Sequence, residues 1–413
     1  MSSAKIHLLN IIKWTVICVI SGVLIGAAAA LFLSSLDFVT NWRENHLWII
    51  YTLPVIGFLI GAMYYYLGGD TKKGNNLLLE EHNDPQTKIP FKMAPLVYIG
   101  TILTHLAGGS AGREGTAVQM GGAIADQFTA LFKLNDKQRK TILIIGISAG
   151  FAAVFGTPIA GAIFALEIML FKNIRIADII PSFAAAFIAH YTCLYLGIHH
   201  TSYSIPLVPS MHALPLVSTF LAGLIFGLTA LLFTKFNMAW SILFKKIKYE
   251  PLRPFIGGIV IVAAISLLGT TKHIGLGIPT IVESFQNHVG NYDFLIKLLL
   301  TTFTLSAGFK GGEVTPLFFI GATLGNILIW FIPLPMALLA GMGFVAVFAG
   351  ATHCAVASIV LGIEMFGLNA GIYIGIASVT AYFTSGADGI YSAQLKEGAK
   401  HQFYSYIKRI SDL

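Results

Sequence analysis

A carboxylate stands inside a glycine-rich break between two apolar stretches, in the segment Gly112-Arg113-Glu114-Gly115-Thr116. Glycines let backbone N–H groups converge, and the start of the next helix carries partial positive charge, so this segment is suited to binding an anion. The Glu114 carboxylate competes with a free anion for the same donors until it takes up a proton. The residues therefore predict proton-coupled anion exchange with Glu114 as gate and proton carrier. The alternative is an ion pair with Arg113 that only fixes the loop.

The same kind of segment recurs in the second half of the chain. Gly311-Gly312-Glu313-Val314-Thr315 echoes the first motif at an offset of 199 residues. Ala160 to Glu167 matches Ala357 to Glu364 at an offset of 197, and a third match lies between these two at 193. Three matches in the same order predict a duplicated transporter-like unit, with repeats over about 15–197 and 214–392. Two halves that meet at the membrane midplane are where a substrate site is expected.

Composition predicts the elements that must position these motifs. The 413 residues are 56% hydrophobic and only 11% charged, with a mean hydropathy of +0.77. A soluble globule is excluded, because such domains are about a quarter charged. The 42 glycines and 15 prolines interrupt many apolar runs, which predicts an all-α polytopic membrane protein with half-length, re-entrant helices. About 25 residues follow the last apolar run, so we expect one transmembrane domain over 1–413 without a soluble regulatory domain.

The net charge of +7 comes from basic residues in short connectors, which argues against a nucleic-acid partner. Connectors 133–140 and 235–253 are basic, whereas 198–214 contains no Lys or Arg. The positive-inside rule then predicts that the two basic connectors are cytoplasmic. It predicts the same for both termini, which carry Lys5, Lys13, Lys396, Lys400, Lys408 and Arg409. The first apolar run is long enough to be a retained helix of a multi-pass protein.

Other chemistries find little support in the sequence. Cys18, Cys193 and Cys354 have no pairwise metal-binding spacing, so we interpret them as core residues and expect no metal site. His105 and Ser110 lack an acid partner and a nucleophile elbow, which leaves an intramembrane enzyme as the least favoured alternative. No nucleotide-binding motif is present, and we expect no cofactor.

Four motifs, in the right order, resemble those of the CLC family of anion channels and proton-coupled anion antiporters. Gly112 to Thr116 is similar to the family's gating-glutamate motif, and Gly312 to Pro316 to its second anion-site motif. Gly156-Thr157-Pro158 resembles a helix-start segment, and Tyr391 falls where the family has a tyrosine that closes the anion site. The first anion-site turn falls on Gly74-Asn75-Asn76. The resemblance implies a CLC-type fold of two inverted halves and a homodimer with one anion path per subunit.

Three departures from the chloride-selective pattern resemble the bacterial fluoride/proton branch of the family. Asn75 stands in place of a serine, Thr116 in place of a proline, and Val314, preceded by the acidic Glu313, in place of a phenylalanine. An amide N–H suits a small, hard anion. The resemblance thus implies fluoride export driven by inward protons across a bacterial-type cell (inner) membrane, with the lipid bilayer as surroundings. A chloride/proton antiporter and a passive anion channel of the same family stay open.

Site assignments follow from the motifs and the resemblance. The gate is Glu114, and the expected anion-binding residues are Gly74, Asn75, Asn76, Arg113, Gly115, Val314 and Tyr391. Secondary roles are expected for Glu313, Thr116, Thr315 and Glu167. The inner proton-relay position of the chloride exchangers falls on Ile168, so Glu167 or Glu313 would have to serve. For Glu167, a second interpretation is a buried carboxyl held by backbone donors.

Overall fold

The structure is a computed structural model that describes residues 3–169 and 174–411, with side chains described at 8–169 and 174–406. The side chains of Lys5, Lys408 and Arg409 lie outside the described residues. Within the described ranges the chain is helical and has no strand, only an isolated bridge. The first eight α-helices are α1 (Ser3–Asn45), α2 (Leu53–Met63), α3 (Asn75–Asn83), α4 (Met93–Leu106), α5 (Glu114–Leu131), α6 (Asp136–Phe155), α7 (Pro158–Ile168) and α8 (Ile176–Tyr195).

The second half repeats this order. Its helices are α9 (Ala213–Lys245), α10 (Leu252–Leu268), α11 (Ile278–Glu283), α12 (Asp293–Ser306), α13 (Val314–Leu328), α14 (Met336–Thr352), α15 (Ala355–Phe366) and α16 (Gly371–Thr384), and α17 (Ala399–Ser411) follows. Short helical turns occupy Leu47–Thr52, Tyr64–Gly68, Gly69–Lys73 and Leu368–Ala370. The predicted all-helical class is confirmed.

Helix lengths separate spanning helices from interrupted ones. Among the described residues, five helical runs are long and apolar enough to cross a membrane: Leu8–Asn45, Leu47–Asn83, Asp136–Phe155, Ile176–Tyr195 and Ala213–Lys245. In contrast, α4 has 14 residues and α15 has 12. At 1.5 Å per residue these helices reach about 21 and 18 Å, short of a hydrocarbon core of about 30 Å. The predicted half-length helices are therefore present.

The two halves are inverted relative to each other. Helices α4, α5 and α6 begin 200 residues before α12, α13 and α14. Between them, Gly112 and Gly312 form an antiparallel bridge in which the Gly112 N–H donates to the Gly312 carbonyl at 2.6 Å and the reverse bond is 2.8 Å. Two equivalent residues that exchange both hydrogen bonds lie about a local two-fold axis. The predicted motif offset of 199 is wrong by one residue here, so Glu114 corresponds to Val314 and Arg113 to Glu313.

A second pair of reciprocal contacts follows the same symmetry. The Glu167 carboxylate, at the end of α7, accepts from the N–H groups of Val356 (3.0 Å) and Ala357 (2.6 Å) at the start of α15. The Glu364 carboxylate on α15 accepts from the N–H groups at the start of α7, at 3.1 and 2.8 Å. Each carboxylate satisfies helix N–H groups that would otherwise lack partners and opposes the partial positive charge of that helix end.

The interrupted helices are fixed by backbone packing. A side chain at Gly121 of α5 would overlap the Gly146 carbonyl of α6, and one at Gly321 of α13 would overlap the Gly343 carbonyl of α14. Only glycine permits such close approach of two helices. Both helix starts that face the midplane are therefore held by a tightly packed helix pair.

Four connectors meet on one face of the molecule, here called the basic face: 69–92, 132–140, 245–253 and 385–398. Lys72 pairs with Glu250 at 2.6 Å, Lys140 donates to the Asn83 carbonyl, and Asn83 donates to the Ala393 carbonyl. These contacts join connectors that together carry half of the 26 basic residues. The two connectors predicted to be cytoplasmic thus lie on the same face.

A buried arginine ties α3 to α5 just beneath this face. Arg139 donates to Glu81 of α3 at 3.0 Å and to both carboxylate oxygens of Asp126 of α5 at 2.9 and 2.8 Å. It also donates to the Thr87 carbonyl at 2.6 Å. Because α3 and α5 begin at Asn75 and Glu114, this network holds two expected site residues in fixed relation.

Candidate anion path

The Glu114 side chain lies between the two halves and is 1% exposed. Its Oε1 accepts from the Thr315 hydroxyl at 2.5 Å, and its Oε2 accepts from the N–H groups of Thr315 at 3.1 Å and Arg113 at 3.2 Å. The Arg113 Nε lies 3.7 Å from Oε1. Although Glu114 begins α5, its carboxylate is therefore seated at the start of α13. Such a helix start favours a negative charge of either kind, a carboxylate or a free anion.

Asn75 approaches the start of α5 from the other side. It is the first residue of α3, after Gly74, whose φ is +59°. A Cβ at Gly115 would lie 3.1 Å from the Asn75 Nδ2, 3.1 Å from the Gly312 Cα and 3.6 Å from the Glu313 Oε2. Gly115 thus keeps a small space where an amide, a carboxyl and two helix starts converge. The structure brings these predicted residues together.

A cavity of about 150 Å³, here called the central cavity, opens beside them. Its lining includes Gly74, Asn75, Asn76, Glu313 and Tyr391. The Asn75 Oδ1 and the Glu313 Oε2 are buried and have no hydrogen-bond partner among the described residues. Because buried polar atoms normally have partners, these two acceptor oxygens leave room in the cavity for a hydrogen-bond donor such as a water molecule.

Two further cavities extend the central cavity into a discontinuous path. A vestibule of about 460 Å³ shares Asn76, Ile390 and Tyr391 with the central cavity and reaches Lys245 and Lys396 at the basic face. On the other side of Glu114 is a pocket of about 20 Å³, lined by Arg113, Glu114 and Thr315 among others, which is room for about one water molecule. The buried Tyr391 lines both the vestibule and the central cavity, whereas Glu114 lines the small pocket.

Other expected site residues are engaged elsewhere. The Thr116 hydroxyl bonds to Thr101 of α4 at 2.7 Å, so it supports the helix start. Asn76 accepts from the Ala393 N–H at 3.0 Å and thereby anchors the loop that carries Tyr391. Glu167 holds the start of α15, the second of its two interpretations. Val314, 1% exposed, begins α13 next to Thr315.

The sequence missed several residues of the central cavity. Lys310 and Gln119 line it, and neither belongs to a recognised motif. Lys310 lies two residues before Gly312, inside the break between two apolar helices. A charged residue in such a break was the one available signal, because an ionisable group at membrane depth is costly to retain.

The counterpart of the central cavity in the second half is filled. By the offset of 200 residues, Asn75 corresponds to Gly275 and the cavity-lining Val97 to Lys297. The fully buried Lys297 donates to the carbonyls of His273 at 3.0 Å and Gly275 at 2.6 Å. Gly275 itself is a turn with φ of +56°. An ammonium group therefore occupies the region that Val97 leaves open in the first half.

A duplicated helical bundle with a carboxylate seated between interrupted helices defines a membrane transport protein. The chain belongs to the CLC family: the family model described as "Voltage gated chloride channel" matches residues 56–386. Both the predicted family and the predicted fold are confirmed.

Comparison with individual proteins shows which members of the family this chain is similar to. The chain is 47% identical over 398 residues to the "Chloride/fluoride channel protein" of Pseudomonas syringae pv. tomato, covering 95% of this chain and 88% of that one. It is 26% identical over 388 residues to the "H(+)/Cl(-) exchange transporter ClcA" of Cronobacter sakazakii, covering 84% and 80%. The crystal structure of a CLC-type fluoride/proton antiporter matches with a TM-score of 0.90 and 36% identity, covering 94% of this chain and 98% of that chain. A slow cyanobacterial chloride/proton antiporter, at 19% identity and a TM-score of 0.80, supports the fold alone.

Proposed function

We propose that this protein exchanges fluoride for protons and uses inward protons to export fluoride. The observation that carries the proposal is the position of the Glu114 carboxylate, which takes the hydroxyl and N–H donors of Thr315 at the start of α13. An anion in the path needs the same donors, so the carboxylate and the anion exclude each other. The similarity to a CLC-type fluoride/proton antiporter and to a chloride/fluoride channel protein supports this substrate class.

Proton uptake couples the two ions through this competition. A protonated Glu114 has no charge to offer the start of α13, so its hold on Thr315 weakens and an anion takes its place. When the anion leaves, the ionised carboxylate returns and its proton is released. Each exchange therefore moves a proton one way and an anion the other.

Fluoride in particular suits the groups around the central cavity. The Asn75 amide offers a directed N–H donor, and a protonated Glu313 offers an O–H donor, which fluoride accepts strongly. The N–H groups at Gly115 and Val314 add donors from two helix starts. We assign Glu313 as the second proton site, because it lines the cavity whereas Glu167 holds a helix start.

The remaining assignments concern access and assembly. Tyr391 is the barrier between the vestibule and the central cavity, Gly74 and Asn76 shape the turn, and Arg113 balances the charge of Glu114. We place the basic face in the cytoplasm by the positive-inside rule, with both termini there. One membrane domain of two repeats, paired as a homodimer in a bacterial cell membrane, completes the proposal.

Ion flux from proteoliposomes that hold a pH gradient tests this function. Fluoride, chloride and proton fluxes are measured for the wild type, for Glu114→Gln and for Glu44→Gln, a control in which the same change is made at an exposed carboxylate. We expect the wild type and the control to move fluoride uphill with protons and to move little chloride. Glu114→Gln has no titrating gate, so its proton flux is lost.

Other outcomes would redirect the assignment. Uphill chloride flux equal to or above fluoride flux would indicate a chloride/proton antiporter and remove the selectivity role from Asn75. Fast fluoride flux without proton movement in the wild type would indicate a passive channel. Proton-coupled fluoride flux in Glu114→Gln would contradict Glu114 as the proton carrier.

A further inference from the structure

Lys310 is a cavity-lining cation that the proposed mechanism does not use. We propose that its ammonium group attracts fluoride from the vestibule into the central cavity and thereby sets the affinity for the small anion. This inference rests on the proposed function and adds a specificity-determining residue to it.

An aromatic ring holds the Lys310 ammonium in place. Its Nζ lies 3.9 Å from the centroid of the Tyr64 ring, a short distance for a cation–π contact. Its backbone N–H donates to the Thr104 hydroxyl at 3.2 Å, which fixes the loop that carries it. The ring face attracts the positive charge and holds the ammonium at one position in the lining of the central cavity, so the field of the ammonium acts on an anion that enters there.

The two neighbouring lysines differ from Lys310 because each has an acidic partner. Lys72 pairs with Glu250 at 2.6 Å, and Lys73, which also lines the central cavity, pairs with Glu80 at 2.7 Å. Lys310 has no ion-pair partner in the part of the chain that the structure describes. Of the two cationic side chains in the cavity lining, Lys310 is therefore the one that has no carboxylate within ion-pair distance among the described residues.

The cavity also needs a positive charge. Glu313 lines it, and Glu114 lies just beyond it, so two acids oppose the entry of an anion whenever they are ionised. The Lys310 ammonium lies over the Tyr64 ring and forms no ion pair with Glu313 in the described structure. A fixed cation in a narrow cavity raises the local anion concentration and favours entry.

This role predicts a change in apparent affinity with little change in maximal rate. Initial fluoride transport is measured against fluoride concentration for the wild type, Lys310→Met, Lys310→Arg and Lys88→Met, a control at an exposed lysine of the basic face. We expect Lys310→Met to raise the KM for fluoride on the order of tenfold, because it removes the attraction between one positive charge and the anion across a small water-filled space. The maximal rate should stay within about twofold. Lys310→Arg keeps the charge and Lys88→Met changes a lysine outside the cavity, so both should keep the wild-type KM.

Ionic strength provides a readout that a purely structural role would not move. Raising impermeant salt from about 0.03 to about 0.3 M shortens the screening length from near 18 to near 6 Å. It should raise the KM several-fold in the wild type and in Lys310→Arg, and have little effect in Lys310→Met. If Lys310→Met does not fold, Lys310→Gln is measured in its place.

Three results would overturn the proposal. An unchanged KM in Lys310→Met would remove the residue from anion entry. If Lys310→Met lowers the maximal rate and the thermal stability and Lys310→Arg does not restore them, the role of Lys310 is structural, in packing against Tyr64. Equal salt dependence in wild type and Lys310→Met would assign the attraction to other charges. A wild type that does not couple fluoride to protons would instead contradict the proposed function itself.

Discussion

The hydrogen bonds that hold the Glu114 carboxylate at the start of α13 can be tested by removing one of them. The Thr315 hydroxyl donates to the Glu114 Oε1 at 2.5 Å, while the Thr315 and Arg113 N–H groups serve Oε2. Thr315→Val keeps the branched shape and both backbone donors and deletes the hydroxyl alone. The carboxylate should then leave the start of α13 more often, because its shortest hydrogen bond is lost.

The magnitude follows from that single bond. A hydrogen bond to a charged group contributes about 1.5 to 3 kcal/mol. Taking ~2 kcal/mol, the population of the unseated carboxylate rises up to ~30-fold, since each 1.4 kcal/mol is tenfold. In the proposed mechanism, fluoride passes uncoupled whenever the Glu114 carboxylate leaves this position without a proton. The uncoupled fluoride leak should therefore rise by up to the same factor.

The assay measures fluoride efflux from proteoliposomes at symmetrical pH, with a potassium ionophore to dissipate the membrane potential. Thr315→Ser retains the hydroxyl and is the matched control, with a leak within about threefold of wild type. Glu114→Gln gives the upper limit for a gate that cannot ionise. A leak in Thr315→Val equal to wild type would refute the view that this hydroxyl holds the gate.

Three further predictions concern packing and charge. Arg139→Met should lower the thermal unfolding temperature and cost about 3–5 kcal/mol, because it leaves two buried carboxylates unpaired. Gly321→Ala should destabilise by about 1–3 kcal/mol or more through overlap with the Gly343 carbonyl, measured by the same unfolding. Burial lowers the pKa of Lys400 to about 7, so undocked α17 binds more protons than docked α17 between about pH 7 and 10. Hydrogen exchange should therefore show α17 protection rising with pH across that window.

Each of these predictions has a control and a contradicting result. Arg139→Lys should not restore stability, since an ammonium cannot replace the bidentate contact, and full rescue would contradict the network. Gly375→Ala, with no atom within 4 Å of its added Cβ, should be neutral or stabilise by roughly 0.4–1 kcal/mol. An equal loss of stability in Gly321→Ala and Gly375→Ala would contradict the packing argument. Lys400→Met should remove the pH dependence of α17, and its persistence between pH 7 and 10 would assign the effect to a group other than Lys400.

Much of the site could be predicted because its chemistry is local in the sequence. A carboxylate among glycines between apolar runs is visible without coordinates, and so is its recurrence in the second half. The contact between Glu114 and Thr315 was not predictable in detail, because it depends on how two loops 200 residues apart pair. A bridge at Gly112 and Gly312 sets that register, and one residue of shift exchanges Glu313 for Val314 as the counterpart of Glu114.

The residues whose role was not predicted from the sequence are those whose role depends on the side chain or backbone group that they contact. Lys310 is one basic residue among 26 until the structure shows that its neighbours have carboxylate partners and it does not. Glu167 left two interpretations open in the sequence, and the N–H groups at the start of α15 favour the structural one. Pairing across the duplicated halves is a tertiary property, so no local pattern reports it.

The two halves of the duplicated fold have similar backbones, and their side chains make them different. Two inverted halves create two similar sets of helix ends, and a symmetrical pair would offer an anion equal sites on both sides. The first half leaves space beside Val97, whereas Lys297 fills the corresponding space with an ammonium held by two carbonyls. Likewise Glu114 begins one helix and Val314 the other, so one half supplies the carboxylate and the other half supplies the hydrogen-bond donors that hold it. In the proposed exchange mechanism, direction therefore depends on where the two halves differ, and the shared backbone supplies only the helix ends.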